Sequence, residues 1–238
     1  MSGLICLPEC NPLVFIDTNL GNPNSDVYTN PENHQNITIE MIDRGAQLIK
    51  DISELPKITT TPEVIYEFYN FLVVSRKSIN YFARKLRKSK QRAIKKQNKR
   101  RLEEIEFFEQ VKRRASASFR CLELLVSDLE KKKVQVPKTP LYETAVKIRS
   151  EIGCSGVDAD LAYTAVISSF NQPTAIITQN YKHVIQMVRH LLPYAHCNGI
   201  QANLIYSSYY ESGNNQLSFD AISPGFCKKP SDKSSIMV

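Results

Sequence analysis

The fold depends on residues 63–101, which read EVIYEFYNFLVVSRKSINYFARKLRKSKQRAIKKQNKRR. Residues 63–136 contain neither Gly nor Pro, the two residues that most often interrupt a helix, and Pro62 and Pro137 flank this stretch. Apolar or small residues recur in it at alternating steps of three and four, which is the spacing of a coiled-coil seam. The seam residues are Ile65, Phe68, Leu72, Ser75, Ile79, Phe82, Leu86, Ser89 and Ala93.

A second seam with the same spacing follows, interrupted only by a lysine. Its residues are Ile105, Phe108, Lys112, Ala115, Phe119, Leu122, Val126 and Leu129. Because the phase of the pattern changes between Ala93 and Ile105, one continuous helix is not expected. The pattern predicts two long helices folded back as an antiparallel hairpin that turns near residues 97–98.

The charge of the chain is concentrated in the same region. Residues 76–101 contain 13 Lys or Arg and no Asp or Glu, whereas the remaining residues carry a net charge of −6. A solvated helical face usually mixes both signs, so this block favours contact with the phosphate backbone of a nucleic acid. The predicted contact residues are Arg84, Lys85, Arg87, Lys88, Lys90, Arg92, Lys95, Lys96, Lys99, Arg100 and Arg101.

The rest of the chain reads as strands alternating with helices. Apolar runs at residues 13–16, 58–60, 175–178 and 200–206 predict short buried strands, and amphipathic stretches lie between them. The predicted fold class is therefore α/β, with a central, mainly parallel sheet flanked by helices and a long coiled-coil-like arm inserted. The predicted domains are a discontinuous body at 1–75 and 133–211, the arm at 76–132 and a disordered tail at 212–238.

Carboxylates gather where the predicted strands end and helices begin. Asp17 ends the first strand, and Asp158 and Asp160 open a helix. Glu67 lies off the seam in the first arm helix, whereas Glu63 in its first turn is explained by the helix macrodipole. Oxygen ligands of this kind select Mg²⁺ or Mn²⁺, which activate water and stabilise displacement at phosphorus. Each acid also has a structural explanation, such as capping, and their joint placement carries the metal-site hypothesis.

Four short motifs resemble those of the PIN-domain nucleases. They read VFIDTN at 14–19, TTPEVIYE at 60–67, DADLAYTA at 158–165 and IITQNYKH at 176–183, and they occur in the family's order. The resemblance implies a PIN-like fold in which Asp17, Glu67 and Asp158 are the catalytic acids and metal ligands. It further implies that Asp160 and Asn180 complete the metal site, with Thr18, Asn19 and Thr178 in support.

One residue departs from the family pattern, because Asn180 stands where the fourth motif often carries Asp. An amide oxygen is a neutral ligand, so the second metal position is expected to be weaker. His183 is expected to be a surface histidine. The basic arm resembles the helical arch that flap endonucleases carry before their third acidic motif.

The expected function is a Mg²⁺- or Mn²⁺-dependent nuclease, with RNA rather than DNA as its substrate and the arm gripping the backbone. The alternatives are a structure-specific DNA nuclease, a catalytically silent nucleic-acid-binding scaffold, and an interaction module whose arm binds a second copy or another protein. The sequence contains no apolar run that predicts a membrane span and no signal peptide, so an intracellular, cytoplasmic location is expected.

Overall fold

The computed structural model describes residues 11–18, 39–178, 180–196, 204–208 and 218–222. The chain divides into two compact units. The first unit comprises residues 1–20, 55–65 and 129–238, and the second comprises residues 21–54 and 66–128. The predicted domain limits stay a prediction. Most of the predicted disordered tail lies outside the described residues, but Ser218–Ala221 within it form a strand.

The first unit contains a small sheet of five short strands. These are β1 (Leu13–Ile16), β2 (Ile58–Thr59), β3 (Thr174–Ile177), β4 (Leu204–Ser208) and β5 (Ser218–Ala221), in the order β2-β1-β3-β4-β5. The first four strands pair in parallel and β5 pairs antiparallel with β4. In the register of β1 and β3, Ile16 lies opposite Ile177, so both strands end at the same edge.

Six α-helices make up most of the described residues. They are α1 (Ile39–Ser53), α2 (Pro62–Lys95), α3 (Lys99–Lys132), α4 (Pro140–Ile152), α5 (Gly156–Ser168) and α6 (Gln186–His196), with a short π-helix at Tyr181–Ile185 before α6. Pro140 begins α4, where its missing N–H costs nothing, and Gly153 ends it with the positive φ that Gly tolerates. Within the described residues, no helix is both long and apolar enough to cross a membrane.

The predicted fold class is wrong. The strands have only two to five residues, whereas α2 and α3 have 34 residues each, so the described part of the chain is mostly helical rather than a PIN-like α/β fold built on a central sheet. The physical reason is the length of the apolar patterns. The strand runs in the sequence are short, while the seam pattern continues without a helix breaker through both long helices.

The two long helices pack along the predicted seams within the second unit. Phe82, Leu86 and Ala93 of α2 are buried, as are Ala115 and Leu122 of α3. The Phe82 and Phe108 rings meet edge to face with centroids 5.8 Å apart, a favoured aromatic geometry. Each of these residues removes apolar surface from water, which is the main contribution that holds a helix pair together.

The turn of the hairpin lies where the phase of the seam changes. Gln97 has φ 48°, a left-handed conformation that reverses the chain. The side chain of Asn98 then accepts a hydrogen bond from the backbone N–H of Arg101 at 3.0 Å, so it caps the start of α3.

The seam predicts a sharp difference between two leucines of α3. Leu122 is fully buried, whereas Leu124 is 72% exposed. We expect Leu122→Ala to lower the free energy of unfolding by about 2–5 kcal/mol, because it leaves a cavity in the seam. Leu124→Ala should change it by less than about 0.5 kcal/mol. Urea unfolding of both variants checks this, and equal effects would contradict the packing described here.

Candidate functional site

A chain of hydrogen bonds begins at Asp17, directly after β1 in the first unit. Asp17 is 2% exposed, and its backbone N–H donates to the carbonyl of Ile177 at 3.1 Å. Thr178 follows β3 at the same edge, and its hydroxyl donates to Asp17 Oδ2 at 2.5 Å. The hydroxyl of Thr18 donates to Oδ1 of the same carboxylate at 3.2 Å. The parallel register of two short strands therefore places a buried acid between two threonines.

Asn180 extends this chain to Asp158. Its backbone N–H donates to Thr178 Oγ1 at 2.8 Å, and its side-chain Nδ2 donates to Asp158 Oδ1 at 3.1 Å. Its Oδ1 accepts the backbone N–H of His183 at 3.2 Å. Because a backbone N–H must meet an oxygen, this bond fixes the orientation of the amide. The amide thus presents a donor to Asp158, and its oxygen caps the π-helix that follows.

Asp158 lies in the first turn of α5. Ser155 caps this helix by accepting the Asp158 backbone N–H at 3.0 Å. The helix dipole favours a negative charge at this position. His183 Nδ1 lies 3.6 Å from Asp158 Oδ2, so the carboxylate faces both an amide donor and an imidazole.

Asp160 has different neighbours, because residues two apart on a helix do not share a face. The Tyr142 hydroxyl donates to Asp160 Oδ1 at 3.3 Å. Burial, and next the nearby charge of Glu63, raise the pKa of Asp160 above its usual range. The charge of Asp160, together with burial, raises the pKa of Tyr142. Asp160 therefore belongs to a second acidic group with Glu63 and Tyr142.

Glu63 is a residue that the sequence interpretation set aside. Its Oε2 is buried and has no hydrogen-bond partner among the described residues. Its charge acts on Asp160 within the first unit, so the macrodipole does not fully account for it. The available signal was its spacing of four from Glu67, which places both acids on one face of a helix.

The remaining predicted site residues do not all lie in the same part of the described structure. Glu67 belongs to α2 in the second unit, and Asn19 lies outside the described residues. The structure connects Asp17, Thr178, Asn180 and Asp158 through successive hydrogen bonds. The predicted metal roles of these residues stay predictions.

A metal site needs several ligand side chains that converge on one point. Within the described residues, no group of three or more His, Cys, Asp or Glu side chains is arranged to hold a metal ion. Asp17 Oδ2 is bonded to Thr178, and the Asn180 oxygen is bonded to the backbone of His183. In this arrangement these oxygens are engaged in hydrogen bonds, so the residues do not form a complete Mg²⁺ or Mn²⁺ site by themselves.

The tip of the hairpin, residues 84–101, carries the second group of candidate residues. Ten of the eleven predicted contact residues are exposed, and the exception is Lys90, which is partly exposed. Lys90 pairs with Glu109 at 2.9 Å, and this bond lowers the pKa of Glu109. Glu104 pairs with Arg101 at 2.6 Å and lies 3.9 Å from Arg100.

Most of the tip cations have no such partner. For the following residues, the described part of the chain contains no carboxylate at ion-pair distance: Arg84, Arg87, Lys88, Arg92, Lys95, Lys96 and Lys99. An uncompensated row of cations produces a positive potential that attracts a polyanion. The acids of α3 therefore neutralise only the part of the tip that lies opposite them.

The acidic group around Asp160 predicts a pH-dependent stability. The pKa of Asp160 is raised in the folded state, so its protonated form favours folding. This contribution to the stability of the fold is fully present below pH about 4 and is lost as the pH rises through the folded pKa. Asp160→Asn should therefore stabilise the fold at neutral pH, with the gain vanishing in acid. Tyr142→Phe should do the reverse at neutral pH, because it removes a donor to the ionised carboxylate. Thermal unfolding at pH 7 and pH 3.5 checks both signs.

Comparison of the chain with protein-family models, with curated proteins and with solved structures gives no match.

Proposed function

We propose that this protein binds nucleic acid through the basic tip of its helical hairpin, with RNA rather than DNA as the expected ligand. The observation that carries the proposal is a row of exposed cations for which the described part of the chain contains no carboxylate at ion-pair distance, namely Arg84, Arg87, Lys88, Arg92, Lys95, Lys96 and Lys99. Phosphate groups at regular spacing match such a row, and the release of their counterions supplies the binding free energy. A cytoplasmic location is part of the proposal.

The charge pattern also argues against a merely solvated surface. Residues 76–101 contain no acid, whereas α3 mixes acids and bases and forms the ion pairs of the hairpin. Like charges on neighbouring turns of one helix destabilise it by a few tenths of a kcal/mol per pair. A polyanion that binds the tip would offset this cost.

The test is a salt titration of binding. Fluorescence anisotropy of a labelled 20-nucleotide RNA, and of a DNA of the same sequence, is measured from 50 to 300 mM KCl. We expect the logarithm of the affinity to fall linearly with the logarithm of the salt concentration, at about 0.7 per phosphate contact for a single strand. Affinity that barely changes over this range would overturn the proposal, and the tighter ligand identifies RNA or DNA.

A second candidate function is cleavage of the bound nucleic acid. It is favoured by the hydrogen-bonded chain from Asp17 through Thr178 and Asn180 to Asp158 in the first unit. Carboxylates that hydrogen bonds hold in a fixed orientation are characteristic of sites that activate water or position a reacting group. Three of the four sequence motifs that resemble those of PIN-domain nucleases contain these residues.

In this candidate function, each residue has a defined role. Asp17 would hold the reacting water or a cation, and Thr178 would keep that carboxylate in place by donating to Oδ2. Asn180 would orient Asp158 through its Nδ2. A Mg²⁺ or Mn²⁺ ion, when bound, would supply an activated water and neutralise charge at the phosphate.

Three other functions remain as outcomes of these and related experiments. Binding without cleavage in Mg²⁺, Mn²⁺ or EDTA would indicate a catalytically silent scaffold. Deletion of residues 76–119 that abolishes self-association but leaves RNA affinity unchanged would indicate that the arm binds a second copy. Cleavage of a flap DNA in preference to structured RNA would indicate a structure-specific DNA nuclease.

A further inference from the structure

One face of α2 exposes aromatic side chains at its start and cations toward its tip. Tyr66, Tyr69, Val73, Lys77 and Tyr81 follow one another at steps of three and four, so they share this face. The exposed fractions are 68% for Tyr66, 45% for Tyr69, 53% for Val73 and 67% for Tyr81. Large apolar side chains that are exposed side by side, rather than singly, usually mark a binding surface.

A groove of about 500 Å³ lies beside this face within the second unit. The side chains that α2 contributes to it are Tyr69, Leu72, Val73, Arg76, Lys77 and Asn80. The apolar side chains of the groove can pack against the flat face of a ligand ring. The guanidinium, ammonium and amide groups can bind the polar edges of such a ring or a phosphate group. The groove therefore combines one apolar side with polar groups along its length.

Among the described residues that line the groove, Glu123 is the only acid, and its charge is already compensated. Glu123 of α3 forms an ion pair with Arg76, and the Arg76 guanidinium also lies 5.8 Å from the centre of the Phe119 ring. Lys77 remains as an exposed cation of the groove. The net charge of the groove lining is therefore positive, and it suits an anionic ligand.

The cations continue along the same face beyond the groove. Arg84 and Lys88 follow Tyr81 at steps of three and four, and both are exposed. Tyr81 is therefore flanked by Lys77 four residues before it and Arg84 three residues after it, at the separation of helix neighbours. Protein–protein interfaces are depleted in Lys, whereas aromatic rings alternating with cations are typical of single-stranded nucleic-acid sites.

From these observations we infer that this face of α2 binds single-stranded nucleic acid, with bases stacked on Tyr69 and Tyr81 and phosphates on Lys77, Arg84 and Lys88. Bases in a duplex are stacked on one another and cannot meet an exposed tyrosine on a helix surface. The inference deepens the proposed nucleic-acid binding and rests on it. It adds that single strands, rather than duplexes, are the ligand.

The experiment compares the full-length protein with two double variants. Tyr69→Ala with Tyr81→Ala removes both stacking surfaces, and Tyr69→Phe with Tyr81→Phe retains them. Leu124→Ala serves as a matched control, because Leu124 is an exposed apolar residue of α3 that does not line the groove. The probes are a labelled 20-nucleotide RNA without self-complementarity, the DNA of the same sequence, and each strand annealed to its complement.

We expect the single strands to bind at least about tenfold more tightly than the duplexes, since stacking contributes about 1–3 kcal/mol per base. The alanine pair should lower single-strand affinity about tenfold or more and leave duplex affinity unchanged. The phenylalanine pair and Leu124→Ala should bind like the wild type. Because the tyrosines are exposed, circular dichroism should show unchanged helix content in every variant.

Three outcomes separate the inference from its premise. Equal binding of single strands and duplexes, or an alanine pair that binds like the wild type, overturns the inference, while steep salt dependence keeps the proposed function. If the affinity of the wild-type protein for nucleic acid barely changes with salt concentration, the proposed function itself is overturned. An alanine pair that alters only self-association would show that the face binds a second copy of the chain, which also overturns the inference.

Discussion

Replacing four tip cations with glutamine should lower nucleic-acid affinity at 0.1 M salt on the order of 100-fold or more. The residues are Arg84, Arg87, Lys88 and Arg92, all exposed and without a carboxylate partner among the described residues. Each lost phosphate contact removes about 0.7 from the slope of log affinity against log salt for a single strand, so the slope should fall by roughly three. Glutamine is a good helix former, and it also relieves like-charge repulsion, so α2 should persist. Anisotropy titrations at several salt concentrations measure both quantities.

A control variant with the same change in net charge separates local contact from general attraction. This control replaces four exposed lysines outside the tip with glutamine. They are Lys57, Lys131, Lys138 and Lys147. We expect its affinity to fall by less than about threefold, because none of these lysines belongs to the tip that is proposed to contact the phosphates, and salt screens charges that make no direct contact. Equal losses in both variants would show that binding depends on total charge and that the tip is not the contact surface.

The hairpin was the most predictable part of the molecule, because local spacing determines it. Helices 34 residues long need a stretch without helix breakers, and the absence of Gly and Pro together with the seam spacing makes that stretch visible in the sequence. The turn was predicted at residues 97–98, and Gln97 has the left-handed φ there. Phe82 and Leu122, named from spacing alone, are both buried.

The predicted fold class was wrong because periodicity indicates where helices and strands lie but not how large the sheet is relative to the helices. Short runs such as residues 13–16 and 58–59 do form strands, yet β2 has only two residues. An α/β fold needs a sheet large enough for helices to cover, and in this chain the helices dominate. The resemblance of short motifs to a family therefore did not extend to the predicted architecture.

The site was partly predictable for a different reason. Parallel strands end at one edge, which brings Asp17 after β1 beside Thr178 after β3, and a hydrogen bond joins them. The orientation of Asn180 depends on the backbone of His183, a contact that spacing does not reveal. Glu63 was missed because an acid in a first helical turn has a sufficient local explanation, and its effect on Asp160 arises only in the folded chain.

Replacing Asp17 with asparagine should abolish cleavage while leaving nucleic-acid binding intact, if the second candidate function is right. End-labelled structured RNA and a matched flap DNA are incubated with Mg²⁺, with Mn²⁺ and with EDTA. We expect metal-dependent products from the wild type and a fall in rate on the order of 100-fold or more in Asp17→Asn, as is usual when a group acting in proton transfer is lost. An asparagine oxygen can still accept from Thr178, so the strand edge should remain ordered.

The control must distinguish chemistry from folding and from a contaminating nuclease. Asp43→Asn makes the same change at an acid that pairs with Arg114 outside the hydrogen-bonded chain, and it should cleave like the wild type. Asp158→Asn should behave like Asp17→Asn, because Asp158 lies at the other end of that chain. The Asp17→Asn and Asp158→Asn variants should both keep their affinity for RNA, since the tip cations belong to the second unit.

If Asp17→Asn and Asp158→Asn both retain full cleavage, the hydrogen-bonded chain has no catalytic role. The wild type and all variants could also bind RNA with the expected salt dependence while none of them cleaves it. In that case the chain of hydrogen bonds only stabilises the strand edge, and the protein binds nucleic acid without cutting it.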